Sequence, residues 1–175
     1  MRSFMKSLKK ENKGFSLLEL IVIVLIIGIL STTTLVAVSN MYNARVTAAR
    51  NRVVSLLSNA RTVTIAKADD TIWFEISKDG DGDYYGTIYE GTKYDYTASK
   101  KLSEDKLGND RLTIKVKNAD GTSKEVDSSN SVKFDFVKST GALDEDYTDV
   151  EISNNSKTSN IIVINKGIPK ILHFS

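Results

Sequence analysis

Residues 13–30 read KGFSLLELIVIVLIIGIL: a lysine, a glycine, an aromatic residue, then a run of aliphatic side chains interrupted by one carboxylate, Glu19. The apolar character resumes at Leu35-Val36-Ala37-Val38 after the polar run Ser31-Thr32-Thr33-Thr34. As a helix, Phe15 to Val38 rises about 36 Å, enough to cross a hydrocarbon core of about 30 Å. Before it stand Arg2, Lys6, Lys9, Lys10 and Lys13 against the single acid Glu11. Such a basic cluster stays cytoplasmic, so the chain beyond the run is expected outside. Three readings fit: a permanent anchor, a secretory signal cut near Ala37-Val38-Ser39, or a more specialised segment. Glu19 favours the third. A carboxylate in an apolar run costs roughly 2.5–3.5 kcal/mol near a bilayer centre, less toward an end, and such residues face a partner rather than lipid.

The string Lys13-Gly14-Phe15-Ser16-Leu17-Leu18-Glu19, followed by the apolar run, resembles the class III prepilin signal of type IV pilins and type II secretion pseudopilins. The resemblance implies that a prepilin peptidase cuts between Gly14 and Phe15 and N-methylates Phe15. Residues 1–14 are then a basic leader, and Glu19, fifth in the mature chain, serves assembly. The chemistry is coherent: cleavage leaves a cationic amine on Phe15 in apolar surroundings, where an unpaired charge is very costly. Glu19 lies four residues along on the same helical face. It can neutralise its own chain's amine in the membrane or a neighbour's in a filament, and breaking a desolvated pair strands a charge. The partners implied are other pilin or pseudopilin subunits, the prepilin peptidase, an assembly-platform membrane protein, and membrane lipid before assembly. The implied location is the cytoplasmic membrane, single-pass with an exported head, and then a pilus or pseudopilus at the cell surface.

The helix is expected to continue to residue 68. No proline or glycine intervenes from Val38 to Ala68, and Val38, Tyr42, Val46, Ala49, Val53, Leu56, Ala60 and Val63 recur at spacings of three and four, which makes one apolar stripe. Asn43, Arg45, Arg50, Arg52, Asn59 and Arg61 are assigned to the opposite, solvated face. Residues 15–68 thus read as a long helix, half transmembrane and half amphipathic. Gly28 weakens it locally, and the threonine run 32–34 is a second candidate weak point, since the proline that many major pilins carry eight residues after this glycine is replaced by Val36.

From residue 69 the period changes to two and the balance to 14 basic against 20 acidic side chains. Strands are expected at 71–77, 84–90, 111–117, 131–137, 149–152, 160–165 and 168–174. Turns are signalled at Asp79-Gly80-Asp81-Gly82-Asp83, Ala119-Asp120-Gly121, Ser139-Thr140-Gly141 and Lys166-Gly167. The fold class is therefore α+β, with the helix packed on an antiparallel sheet or small sandwich formed by residues 69–175. Residues 131–175 also resemble the C-terminal arrangement of H-type minor pseudopilins. Heads of many major pilins carry a disulfide loop, which this cysteine-free chain lacks.

The composition excludes much chemistry. Without cysteine there is no thiol nucleophile or thiolate metal site, and one histidine, His173, leaves histidine-based triads without their main ingredient. The chain is not expected to be an enzyme. Asp79, Asp81, Asp83 and Glu90 occupy the first, third, fifth and twelfth positions of a calcium loop. Against calcium, Tyr84 stands where that loop needs glycine, and an acidic hairpin turn explains the run more simply. DNA, taken up by competence pili, is the other candidate ligand, alongside an anchored ligand-binding role. The acidic head argues against a broad phosphate-binding patch, leaving the arginines as a solvated face or as inter-subunit partners. The aromatics Trp73, Phe74, Tyr84, Tyr85, Tyr89, Tyr94 and Tyr96 cluster in sequence, as core packing or as a recognition surface.

Overall fold

The computed structural model describes residues 15–67, 71–144, 146–155 and 157–162, with the side chains of residues 32–39 outside that description. Helix α1 (Leu17–Lys67) is continuous through Gly28 and through Thr32–Thr34; neither the glycine nor the threonine run breaks it. The chain divides into two units, residues 1–38 and residues 39–175. In the second, eight strands follow the helix: β1 (Ile72–Lys78), β2 (Tyr84–Gly91), β3 (Ser99–Gly108), β4 (Thr113–Asn118), β5 (Ser123–Glu125), β6 (Val132–Asp135), β7 (Tyr147–Ser153) and β8 (Thr158–Ile162). They form two antiparallel four-stranded sheets, ordered β3-β2-β1-β6 and β5-β4-β7-β8. The architecture is α+β.

One apolar core joins the helix to both sheets. Val46, Ala49, Val53, Leu56, Leu57 and Ala60 of α1 bury against Phe74 and Ile76 of β1, Ile88 of β2, Phe134 of β6, Ile114 and Val116 of β4 and Val150 and Ile152 of β7. Helix and first sheet meet closely at Gly86, where a Cβ would sit 2.6 Å from Leu56 Cδ1 and 3.1 Å from Phe74. Hydrogen bonds fix the helix from its other sides: Asn154 Nδ2 donates to the Tyr42 carbonyl at 2.9 Å, Arg61 Nε to the Gly141 carbonyl at 2.9 Å, and Arg52 Nη1 to the Lys106 carbonyl.

Two strands were not expected. β3 reads SKKLSEDKLG and lies at the edge of its sheet with mostly exposed side chains, so it carries no apolar alternation to find, and its charges blunt an open edge. β5 is three exposed residues paired to β4. The strands expected at 160–165 and 168–174 fall partly and wholly outside the described residues, as does the Lys166-Gly167 turn; residues 160–162 of the former lie in β8.

β1 is buried on both faces. Ile72, Phe74 and Ile76 enter the main core, while Trp73 and Glu75 point the other way and are covered by the β2–β3 connection. Trp73 stacks on Tyr89 with centroids 4.2 Å apart and meets Tyr94 and Tyr96 edge-on at 5.6 Å each. The two strap tyrosines each donate to a buried acid at 2.6 Å, Tyr94 to Asp135 and Tyr96 to Glu75. A phenol that is desolvated and bonded to a carboxylate resists ionisation. The Tyr96 hydroxyl is pushed up to about 12, first by burial and then by Glu75, and Tyr89 is raised for the same two reasons.

Two predictions follow from this packing. Gly141 has φ +64°, and an added Cβ would lie 2.5 Å from Ile65 Cδ1 and 2.8 Å from Arg61 Nε. Gly141→Ala should therefore cost about 1–3 kcal/mol, whereas Gly80→Ala, with open space around it, should stay within about 0.5 kcal/mol of the parent in urea unfolding. A raised phenol favours the folded state while protonated, so the Tyr96 contribution is whole below pH 10.0 and is lost as pH climbs to about 12. Absorbance titration at 295 nm should show late-titrating phenols, of which Tyr96→Phe removes the latest.

Candidate assembly site

Within residues 15–38, the local structure at the start of α1 follows from four residues. Ser16 precedes the helix, and its Oγ accepts a hydrogen bond from the Glu19 backbone N–H at 3.2 Å, while the Ser16 carbonyl accepts from Leu20 N–H at 3.2 Å. Ser16 is thus the N-cap and Glu19 the third helical residue, the spacing of a capping box. Glu19 also lies in the first turn, where a negative charge complements the helix dipole. This role for Ser16 was missed from sequence, although Ser16-Leu17-Leu18-Glu19 carries the S-x-x-E signature. Glu19 therefore has a structural use in addition to any pairing with an amine.

Beyond the cap the helix is apolar on every side, and its own chain leaves it uncovered. Thirteen large hydrophobic side chains between Phe15 and Leu30 are 43% to 80% exposed, Phe15 at 75%. At roughly 1.5–3 kcal/mol for full burial of each such side chain, covering what is exposed is worth on the order of 10–20 kcal/mol. That outweighs the roughly 2.5–3.5 kcal/mol cost of one carboxylate severalfold, so Glu19 does not prevent burial of the run. Its energetic weight falls on where, and beside what, the run is buried. Among the described residues no helix is long and apolar enough to cross a membrane; the described side chains of the run end at Ser31.

The other candidates resolve differently. Gly14 lies outside the described residues. Asp79, Asp81 and Asp83 share the β1–β2 hairpin, but Glu90 stands seven residues beyond Asp83 along β2, roughly 23 Å away at the strand rise, and pairs with Lys67. Asp79 Oδ1 is taken up by the Asp81 and Asp83 backbone N–H groups at 3.0 and 2.8 Å, and Asp83 pairs with Lys106. The four residues do not converge, and among the described residues no group of three acidic, histidine or cysteine side chains is placed to hold a metal. The run is the acidic hairpin turn.

The arginine face is also corrected. Arg50, assigned to solvent, is buried at 6% exposure, and its Nε has no hydrogen-bond partner among the described residues. It lies four residues after Val46 and three before Val53, on the core side of the helix, a placement the spacing already contained. Arg52 and Arg61 are tied to head carbonyls, and the Arg45 guanidinium lies 5.5 Å from the Tyr42 ring. These cations do not form one free phosphate-binding stripe.

Residues 9–35 match the family described as the prokaryotic N-terminal methylation motif. This is the class III prepilin signal of type IV pilins and pseudopilins, and it spans Gly14, Phe15, Glu19 and the apolar run. The motif supports a type IV pilin-like protein and implies, in general, interaction with pilin subunits and a prepilin peptidase. No curated protein and no solved structure matches the chain.

Proposed function

We propose that the protein is a minor pilin or pseudopilin, cut by a prepilin peptidase between Gly14 and Phe15, methylated on the Phe15 amine, and held in the cytoplasmic membrane by its apolar run until it enters a filament. The observation that carries this reading is the uncovered apolar helix from Phe15 to Leu30, coincident with the methylation motif at residues 9–35. Lipid covers such a helix before assembly, and the equivalent helices of neighbouring subunits cover it afterwards. The head of residues 69–175 faces outward. Glu19 meets the methylated amine of Phe15, its own or a neighbour's, and because an unpaired charge is costly in such surroundings, misplaced subunits are rejected.

Mass spectrometry of the membrane-extracted protein should find a mature N-terminus at Phe15 carrying one methyl group; an intact Met1 contradicts the proposal. Because Ser16 supplies the cap, the pairing is separable from helix stability. Glu19→Gln keeps a side chain that serves a capping box but removes the charge. It should stop incorporation into sheared fibres while leaving membrane insertion unchanged. Ser16→Ala should weaken the cap by about 1 kcal/mol and still be incorporated. Normal incorporation of Glu19→Gln contradicts the charge-pairing role.

A further inference from the structure

The outer face of the first sheet holds a second cluster, built of aromatic side chains. Trp73, Tyr89, Tyr94 and Tyr96 stand apart from the main core, yet Trp73 is fully buried among them. Tyr94 has φ 62°, the one non-glycine residue with positive φ among those described. Such a conformation costs of order 1–3 kcal/mol and is kept where surrounding contacts over-determine it. Here they do: Tyr94 packs edge-on against Trp73 and donates to Asp135, which fixes a ring that nevertheless stays 42% exposed.

Beside that ring opens a cleft of about 360 Å³ lined by Tyr94, Tyr147, Lys124, Lys133, Ser129 and Asn130. Most head lysines with a resolved partner are neutralised: Lys93 by Asp135, Lys101 by Glu104, Lys106 by Asp83, Lys115 by Glu125 and Lys117 by Glu151. Among the described residues Lys124 and Lys133 form no ion pair. Lys133 Nζ is instead held by aromatic faces, 4.7 Å from the Tyr94 centroid, 5.2 Å from Tyr96 and 5.7 Å from Trp73. Lys124 Nζ is steadied by one bond to the Ser131 carbonyl at 3.1 Å, leaving further donors. The nearby acid, Asp127, accepts from the Ser129 and Asn130 backbone N–H groups and from the Asn130 amide, and it feels the Lys124 charge without forming an ion pair with it.

Two ammonium groups that border the cleft without an ion pair among the described residues favour an anion, and two tyrosine rings with a hydroxyl and an amide favour a ligand with C–H faces and several hydroxyls. We propose that this cleft binds an acidic saccharide. A uronate carboxylate lies between Lys124 and Lys133, and the sugar's apolar face lies on Tyr94. This goes beyond the assembly reading and does not depend on it, since the cleft belongs entirely to the unit of residues 39–175.

Trp73 is the single tryptophan and touches Tyr94, so its fluorescence reports on the cleft. Titrating the full-length chain in detergent with a galacturonate oligomer should give a saturable change. Lys124→Gln should weaken binding at least tenfold, and so should methyl-esterifying the oligomer. Tyr94→Leu should weaken oligomer binding while leaving the secondary-structure spectrum unchanged. Lys124 carries the charge test because it is outside the aromatic cluster, so its loss does not threaten the fold. The proposal is overturned by any of three results: no saturable change, equal affinity of Lys124→Gln and parent, or displacement of the oligomer by inorganic phosphate at equal concentration, which marks a plain anion site.

Discussion

Everything in the N-terminal half of α1 depends on one imbalance: a helix apolar on all sides, exposed along its whole described length, with a single carboxylate in its first turn. Water is a poor solvent for that surface. Burial in lipid or among like helices is favoured by far more than the acid costs, so the run is driven out of water whether or not Glu19 finds a partner. In the proposed assembly, what the acid decides is registry. A charge that is tolerated when paired and costly when stranded converts a non-directional hydrophobic force into a positional one, and the cleavage proposed before Phe15 would supply the amine that answers it.

The second half of the same helix is governed by different rules. From Val46 to Ala60 it is amphipathic and completes a core shared by two sheets, with side-chain bonds from Arg52 and Arg61 to head carbonyls. The head needs this helix: the apolar faces of β1, β2, β4, β6 and β7 converge on it, and Gly86 is kept bare so that Leu56 can approach. One continuous helix therefore serves two surroundings, with apolar residues all round where others must cover it and a stripe where its own chain does.

What the sequence made legible tracks where burial leaves a pattern. The alternation of Val132, Phe134 and Phe136 reported β6 and its inward face, and the Asp-Gly run reported the β1–β2 turn, because both are dictated by local sterics and by one buried side. β3 left no such trace. Apart from the buried Leu107, its side chains are half-buried or exposed at a sheet edge, and it is held mainly by backbone pairing to β2. Arg50 was misplaced because its charge was weighed above its spacing. Ser16 was overlooked because the Glu19 three residues on had already been given a different use. The acidic run shows what linear spacing hides: Asp79, Asp81 and Asp83 stay together in the turn, whereas Glu90 is carried away from them along β2.

The aromatic cluster shows the same limit from the other side. Its members were visible as a run of tyrosines, but their placement over Glu75, Asp135 and Lys133 arises from the β2–β3 strap folding across the sheet, which no local pattern encodes. The account as a whole stands or falls on the ion pair in the assembled state. A filament structure at side-chain resolution measures it directly, as the distance from the Phe15 amine to the nearest Glu19 carboxylate. The account predicts a contact within about 4 Å to a carboxylate of the same or an adjoining subunit. An amine lying in solvent, or a filament chain still carrying residues 1–14, contradicts it.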